Sequence, residues 1–186
     1  IFEGTNEINR LLTAGTTLKK ALLEDIPIRD SISDRDSNWI PDIGINQSEI
    51  ESEARVVEFC RSLNLFLLNI LIKHYGQDFK NEQWVLEPYS DIVISVAILD
   101  TVVKRYIQAP DSKKASMLPV LKLSVADQYN KVLDRAYDIL SSESEFDSHA
   151  DTLNKWSEEL NYRPNRIQYK KNIYKYLVEH GKYYLD

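Results

Sequence analysis

The sequence predicts an all-α protein, an antiparallel helical bundle of three long and two shorter helices preceded by one further helix. The chain has only five glycines and six prolines in 186 residues, so helix breakers are few. Apolar residues recur at intervals of three and four in several segments, and no window shows the sustained alternation typical of a strand. Long helices joined by short connections pack as antiparallel neighbours, which favours a bundle.

The first helix is predicted over about residues 6–24, with Thr5 as a plausible N-cap. Its apolar stripe, which needs a partner surface, comprises Ile8, Leu11, Leu12, Leu18, Leu22 and Leu23. Residues 25–47 then combine Pro27, Pro41 and Gly44 with several Asp and Ser residues, a composition that predicts a linker. The chain therefore divides into residues 1–24, a linker over 25–47 and a helical domain over 48–186.

Three long helices follow the linker. The first is predicted from Ser48, which has capping-box spacing to Glu51, as far as Tyr75, just before a glycine. The second covers about 82–108, and Pro88 should kink it or mark a late start. The third covers about 113–141, with Pro119 falling early, where proline is tolerated. The apolar side of the third helix consists of Leu118, Leu121, Val125, Tyr129, Val132, Ala136 and Leu140.

Two shorter helices are predicted over 147–160 and about 165–180. The chain end is basic, because residues 163–186 contain six Lys and Arg against two acidic residues. The formal net charge of the whole chain, by contrast, is −6. The helical spacing of the apolar residues at this end predicts a docked amphipathic helix with a solvated basic face. These residues are Ile167, Ile173, Tyr174 and Leu177. The alternative for such a basic, tyrosine-rich segment is contact with acidic lipid or RNA.

Composition argues against several classes of site. The net negative charge disfavours general nucleic-acid binding. Cys60 is the only cysteine, which rules out an intramolecular disulfide and a multi-cysteine zinc site and fits a reducing, intracellular setting. His74, His149 and His180 have no i, i+4 pairing, so no metal site is expected.

Two aspartates lie on the largely apolar second long helix. Asp91 and Asp100 could be buried catalytic acids, but we expect each to reach solvent or a cation. Lys104 follows Asp100 by four residues, the spacing of a helical ion pair.

Within the first ten residues, IFEGTNEINR, residues 2–10 read as an aromatic residue, Glu-Gly-Thr, a polar pair, an apolar residue, a polar residue and Arg. This pattern closely resembles the motif near the C-terminal end of the catalytic part of acyl-CoA dehydrogenases. The resemblance implies that the chain is the end of a longer protein and starts just before a catalytic loop. The alternative is a chance helix start, in which Thr5 merely caps and Glu7 merely favours the positive end of the helix dipole.

The resemblance implies a reaction and a site. In this family a carboxylate removes the α-proton of a fatty acyl thioester while the β-hydrogen leaves as hydride to FAD. Glu3 matches the catalytic base, its backbone N–H would help to bind the thioester carbonyl, and Gly4 would let substrate pass close to the backbone. Thr5, Asn6 and Glu7 match FAD contacts. The motif's closing residue, Arg10, is given a structural or cofactor-adjacent role.

A second resemblance covers residues 71–106, LIKHYGQDFKNEQWVLEPYSDIVISVAILDTVVKRY. The run is similar to the extra C-terminal helical domain of very-long-chain acyl-CoA dehydrogenases. It implies a long-chain substrate and a non-catalytic bundle that packs on the catalytic body or on another subunit of a homo-oligomer. The linker of those enzymes is basic and implicated in membrane attachment, whereas residues 25–47 are acidic, so we do not expect such attachment here.

The resemblance also implies partners and a location. The full-length protein would act on acyl-CoA, carry FAD, pass electrons to electron-transfer flavoprotein and lie in a bacterial cytoplasm, with a mitochondrial matrix as the alternative. The chain alone would be inactive and would not retain FAD, because preceding domains make most of both pockets. The alternative function is an autonomous helical interaction module that recruits a protein partner through its basic tail.

Overall fold

The computed structural model describes residues 6–23, 25 and 49–181, and these contain six α-helices and no strand. They are α1 (Asn6–Leu22), α2 (Glu51–Tyr75), α3 (Gln83–Gln108), α4 (Asp111–Leu140), α5 (Asp147–Leu160) and α6 (Arg166–His180). Two short 3-10 segments, Gly76–Asn81 and Ser144–Phe146, join consecutive helices. The predicted fold class is therefore confirmed, with three long helices, two shorter ones and a preceding helix. Residues 26–47, most of the predicted linker, lie outside the described residues.

Helix α3 lies at the centre of the bundle. Its most extensive contact is with α4, and it also packs against α1 and α2. Helix α4 in turn contacts α2, α5 and α6. Because residues 109–110 alone separate α3 from α4, the two helices must run antiparallel to pack along their lengths.

The core is formed by the facing sides of α2, α3 and α4. Phe59 packs edge-on against Tyr129 with ring centroids 5.8 Å apart, and Phe79 packs similarly against Tyr89 at 6.0 Å. Cys60 is fully buried in this core, and burial raises the pKa of its thiol. The predicted apolar side of α4 is buried as expected, apart from Leu118, which is only partly covered.

The ends of α2 differ in how well sequence predicted them. Its C-terminus falls at Tyr75, and Gly76 adopts a φ of 55° while its N–H donates to the carbonyl of Ile72. Its N-terminus is not the predicted capping box, because Glu51 is the first helical residue and Ile50 is the N-cap, without a side-chain cap. Ser48 lies outside the described residues. As a first-turn residue, Glu51 favours the helix dipole instead.

Both internal prolines lie within continuous helices. Helix α3 begins at Gln83 and continues through the buried Pro88, so this proline does not mark the start of the helix. Helix α4 begins at Asp111, so Pro119 is its ninth residue, beyond the first turn, where proline is tolerated best. The carbonyl of Ala115 therefore lacks its usual i+4 donor, and Ala115 is exposed to water, which lowers the cost.

Helix α1 docks on α3, which supplies the partner surface that its apolar stripe requires. The described side chains of the stripe nevertheless divide between two faces. Leu11 and Leu18, together with Ala14 and Ala21, pack into the core, whereas three others remain exposed. The exposed residues are Ile8, Leu12 and Leu23.

Helix α6 docks on α4 with no buried residue. Ile173 and Leu177 are partly covered, as predicted, whereas Ile167 and Tyr174 are 69% and 70% exposed. The expectation of a docked helix is therefore correct, but two of its four proposed docking residues face outward.

Replacing Leu67 with Ala should destabilise the chain by about 2–5 kcal/mol, because the side chain is fully buried and its removal leaves a cavity. The matched control is Leu12→Ala, since Leu12 is 66% exposed, and we expect a change within about 0.5 kcal/mol. Urea unfolding followed by circular dichroism measures both. Equal losses for the two variants would contradict the assignment of the core.

Candidate functional site

The motif at the start of the chain is only partly described. Glu3, Gly4 and Thr5 lie outside the described residues, and Asn6 and Glu7 form the first turn of α1, where only their backbone is described. Their predicted roles therefore stay predictions. The start of α1 is the positive end of its helix dipole and comes immediately after the predicted base in the sequence.

Arg10 is the first motif residue whose side chain is described, and α3 holds it at three points. Its Nη1 donates to Glu87 Oε1 at 3.2 Å, and its Nε lies 3.2 Å from Asp91 Oδ1. The Ser90 hydroxyl donates to the Arg10 carbonyl oxygen. The structure therefore gives Arg10 a structural role, that of attaching the N-terminal half of α1 to α3.

Asp91 is the centre of this contact. Its side chain is 1% exposed and is surrounded by three cations, Arg10 from α1 and two residues of α4. Lys131 Nζ lies 3.1 Å from Oδ1, and Arg135 Nε donates to Oδ2 at 3.1 Å. Oδ1 accepts no aligned hydrogen bond from the described residues, so charge compensation is its main interaction.

The surroundings of Asp91 favour a counter-ion over a catalytic acid. The pKa of Arg135 is raised, mainly by its hydrogen bond to Asp138 and also by the negative charge of Asp91. Three cations within 3.2 Å compensate the charge of the carboxylate, which suits it to the role of their shared counter-ion. The prediction that Asp91 reaches a cation is confirmed.

Asp100 also meets a cation, but not the predicted one. Arg61 of α2 donates from Nε to Asp100 Oδ1 at 2.8 Å and places Nη2 2.5 Å from the same oxygen. The predicted pairing with Lys104 is wrong, because the neighbouring helix presents a guanidinium that can use two nitrogens at once. Sequence spacing within one helix cannot reveal such a cross-helix partner.

A second buried carboxylate, Glu53, was missed by sequence reasoning. It accepts a hydrogen bond from the Tyr162 hydroxyl at 3.1 Å and pairs with Lys122 Nζ at 3.3 Å. Burial, followed by the charge of Glu53, raises the pKa of Tyr162. The group borders a cleft of about 250 Å³ that is also lined by Arg55 and Arg163. In sequence, Glu53 looked like an ordinary first-turn acid of α2.

Two of the three histidines contact neighbouring elements of the bundle, and the third contacts a residue of its own helix. His74 Nδ1 lies 2.9 Å from Glu145 Oε2, His149 packs edge-on against Phe66, and His180 stacks on Tyr176. No group of three His, Cys, Asp or Glu side chains suited to a metal ion occurs among the described residues. Within the same part of the chain, no helix has the length and apolarity required to cross a membrane.

Comparisons with known proteins show which proteins this helical assembly resembles. No protein-family model matches the chain. A probable acyl-CoA dehydrogenase of Bacillus subtilis (strain 168) is 30% identical over 158 residues, an alignment that covers 80% of this chain and 26% of that protein. The crystal structure of an acyl-CoA dehydrogenase complexed with FAD from Bacillus anthracis matches with a TM-score of 0.78 and 21% identity, over 98% of this chain and 32% of that one.

The fold and the anchored motif helix thus define a helical segment of the kind found in acyl-CoA dehydrogenases. The sequence match confirms the resemblance, and the chain is homologous to part of a protein of the acyl-CoA dehydrogenase family. It spans about a quarter of the length of the curated relative that it matches.

The pKa of His149 is lowered by burial and then by the charge of Lys73. The folded state thus prefers neutral His149, and this contribution to stability should be lost as pH falls below about 6.5, the ordinary histidine pKa. We expect an NMR titration to give a pKa below that value. The variant His149→Gln should lose less stability than the original chain between pH 7.5 and 5.5. A measured pKa at or above 6.5 would contradict this assignment.

Proposed function

We propose that the chain is the C-terminal part of an FAD-dependent acyl-CoA dehydrogenase that introduces an α,β double bond into long-chain acyl-CoA. The observation that carries this proposal is the ten-residue motif IFEGTNEINR, whose second half forms the start of the docked helix α1. The 30% identity to a probable acyl-CoA dehydrogenase and the fold of an FAD-containing neighbour support it. The long-chain substrate rests on the resemblance of residues 71–106 to the very-long-chain type.

In this proposal Glu3 takes the α-proton of the thioester. Its backbone N–H donates to the thioester carbonyl and so stabilises the negative charge that develops there. A carboxylate shielded from water beside apolar substrate becomes more basic, which suits it to a weakly acidic proton. Gly4 has no side chain and leaves room for the substrate.

The residues that follow are chemically suited to FAD. Thr5 and Asn6 offer a hydroxyl and an amide, and the positive end of the α1 dipole favours polar or anionic groups. FAD, when bound, supplies the acceptor for the β-hydrogen. Thr5, Asn6 and Glu7 would hold it next to Glu3, while the remaining contacts would come from the rest of the full-length protein.

The bundle has a mechanical role in this proposal. Its apolar faces pack on each other, and the exposed apolar residues of α1, with Trp84 at 90% exposure, offer contacts to a catalytic body or a second subunit. The chain alone would then be inactive and would not retain FAD. Acyl-CoA and electron-transfer flavoprotein are the proposed partners of the full-length enzyme, in a bacterial cytoplasm.

A second candidate function is an autonomous interaction module, and the outer face of α6 favours it. Ile167, Tyr174 and Val178 are exposed there and lie between Lys170 on one side and Lys171 on the other. An acidic protein surface with apolar residues would complement this face.

In the full-length protein, Glu3→Gln should lower the rate of acyl-CoA-dependent flavin reduction by at least about 10²–10⁴-fold, because the amide cannot accept the proton. Flavin content, read from visible absorbance, should be unchanged. Stopped-flow bleaching of the flavin measures the rate.

The control is Glu51→Gln, at the exposed start of α2, which should keep the original rate. A Glu3→Gln variant with full flavin and an unchanged rate would refute the proposed base. The chain of 186 residues, purified in the presence of FAD, should be colourless and inactive, because most FAD contacts are proposed to come from the rest of the full-length protein. Yellow protein would refute this dependence.

The two functions predict different binding by α6. We expect no measurable binding of poly-glutamate to the chain at 0.15 M salt, because scattered surface charges are screened there. Calorimetry measures this binding. Binding that is lost in Lys170→Glu/Lys171→Glu and kept in the control Lys104→Glu, on α3, would favour the interaction module.

A further inference from the structure

The anchoring of Arg10 has a consequence for catalysis. Helix α1 begins at Asn6, and Arg10 lies about one helical turn from that start. The contacts to Arg10 therefore fix the part of α1 that directly continues the predicted base loop. Its apolar contacts, through Leu11, Ala14 and Leu18, lie farther along the helix.

The three contacts to Arg10 restrain different motions. The salt bridge to Asp91 and the hydrogen bond to Glu87 hold the guanidinium between two turns of α3. The hydrogen bond from Ser90 holds the backbone of the same residue. Together they fix both the rotation of α1 about its axis and its position along α3. Apolar contacts alone would restrain small rotations and shifts of α1 less tightly than these polar contacts do.

Asp91 is itself held in place from the opposite side. Lys131 and Arg135 both belong to α4, whose contact with α3 is the most extensive in the bundle. The orientation of α1 is thus tied, through one buried carboxylate, to the most extensive helix–helix contact of the bundle.

We propose that Asp91 is a positioning residue for catalysis, which acts through Arg10 to set the orientation of the first turns of α1 and thereby of the proposed base Glu3, which comes just before this helix in the sequence. This inference rests on the proposed function of Glu3. It assigns the helical domain a part in the chemical step beyond stability and assembly. Because a displacement of about 1 Å in a reacting group can cost up to about a hundredfold in rate, a loosened α1 should be visible in kinetics.

The test uses the full-length flavoprotein with Asp91→Asn, which keeps the size of the side chain and removes its charge. We expect kcat to fall about tenfold with KM changed less than about twofold, because substrate contacts remain while the base is displaced. The pH profile of kcat should also shift, since a moved carboxylate has a changed environment. The double variant Arg10→Gln/Asp91→Asn should lose little more than either single variant.

The matched control is Asp100→Asn, which removes the partner of Arg61 on the same helix, away from α1. It should leave kcat and the pH profile unchanged, even where it lowers the melting temperature. Glu87→Gln and Ser90→Ala also loosen Arg10 but leave Asp91 in place among its three cations, so they test the proposal if Asp91→Asn does not fold. Each should lower kcat about two- to threefold.

Three outcomes would overturn the proposal. Asp91→Asn, or the pair of milder variants in its place, could show the original kcat and pH profile. Asp91→Asn and Asp100→Asn could lower kcat equally, in proportion to lost flavin or melting temperature, which would indicate a structural role only. Additive losses of kcat in the double variant would show that Asp91 does not act through Arg10. An unaffected rate in Glu3→Gln would instead refute the proposed base, a result that can be told apart from all three.

Discussion

The buried carboxylate of Asp91 is the interaction on which the arrangement of three helices depends. Removing a charge from water costs several kcal/mol unless opposite charges replace the lost hydration. Arg10 and the two α4 cations supply that replacement, and each keeps about a third of its side chain exposed. The cations therefore remain partly hydrated while the carboxylate does not. Such an arrangement adds little net stability, but it strongly penalises packings that separate α1 or α4 from α3.

The position of α3 explains why this constraint matters. It packs on three helices, so the polar residues on its inner sides, Ser90, Asp91 and Ser95, are shielded from water. The hydroxyl groups of Tyr89 and Ser95 are buried without a hydrogen-bond partner among the described residues, at a cost of about 1–3 kcal/mol each. Burial also raises the pKa of the Tyr89 hydroxyl above its ordinary value. Extensive apolar contact with α2 and α4 must offset these costs.

Sequence periodicity predicted the helices well because their bounds depend on local signals. Gly76 ends α2 and the short segment at 109–110 separates α3 from α4, and both are visible in the chain itself. Periodicity could not predict which neighbour a polar residue meets. Arg61 with Asp100, and Glu53 with Tyr162, are joined across 39 and 109 residues, and only packing brings them together. The candidate base and its neighbours were found through their motif, whereas Asp91 became important only when its three cations were located.

Helix α1 is grouped with different parts of the protein by its sequence motif and by its packing. By its motif it belongs with the predicted catalytic part, but by packing it belongs to the bundle, since Ala14 and Leu18 are buried against it. The predicted boundary at residues 25–47 is a boundary of composition, and the contacts of α1 cross it. A helix that is anchored on one side and exposes Leu12 and Leu23 on the other is suited to lie between two surfaces. Displacing it would expose core residues and break the ion pairs of Arg10 together, so the position of α1 and the integrity of the bundle cannot change independently.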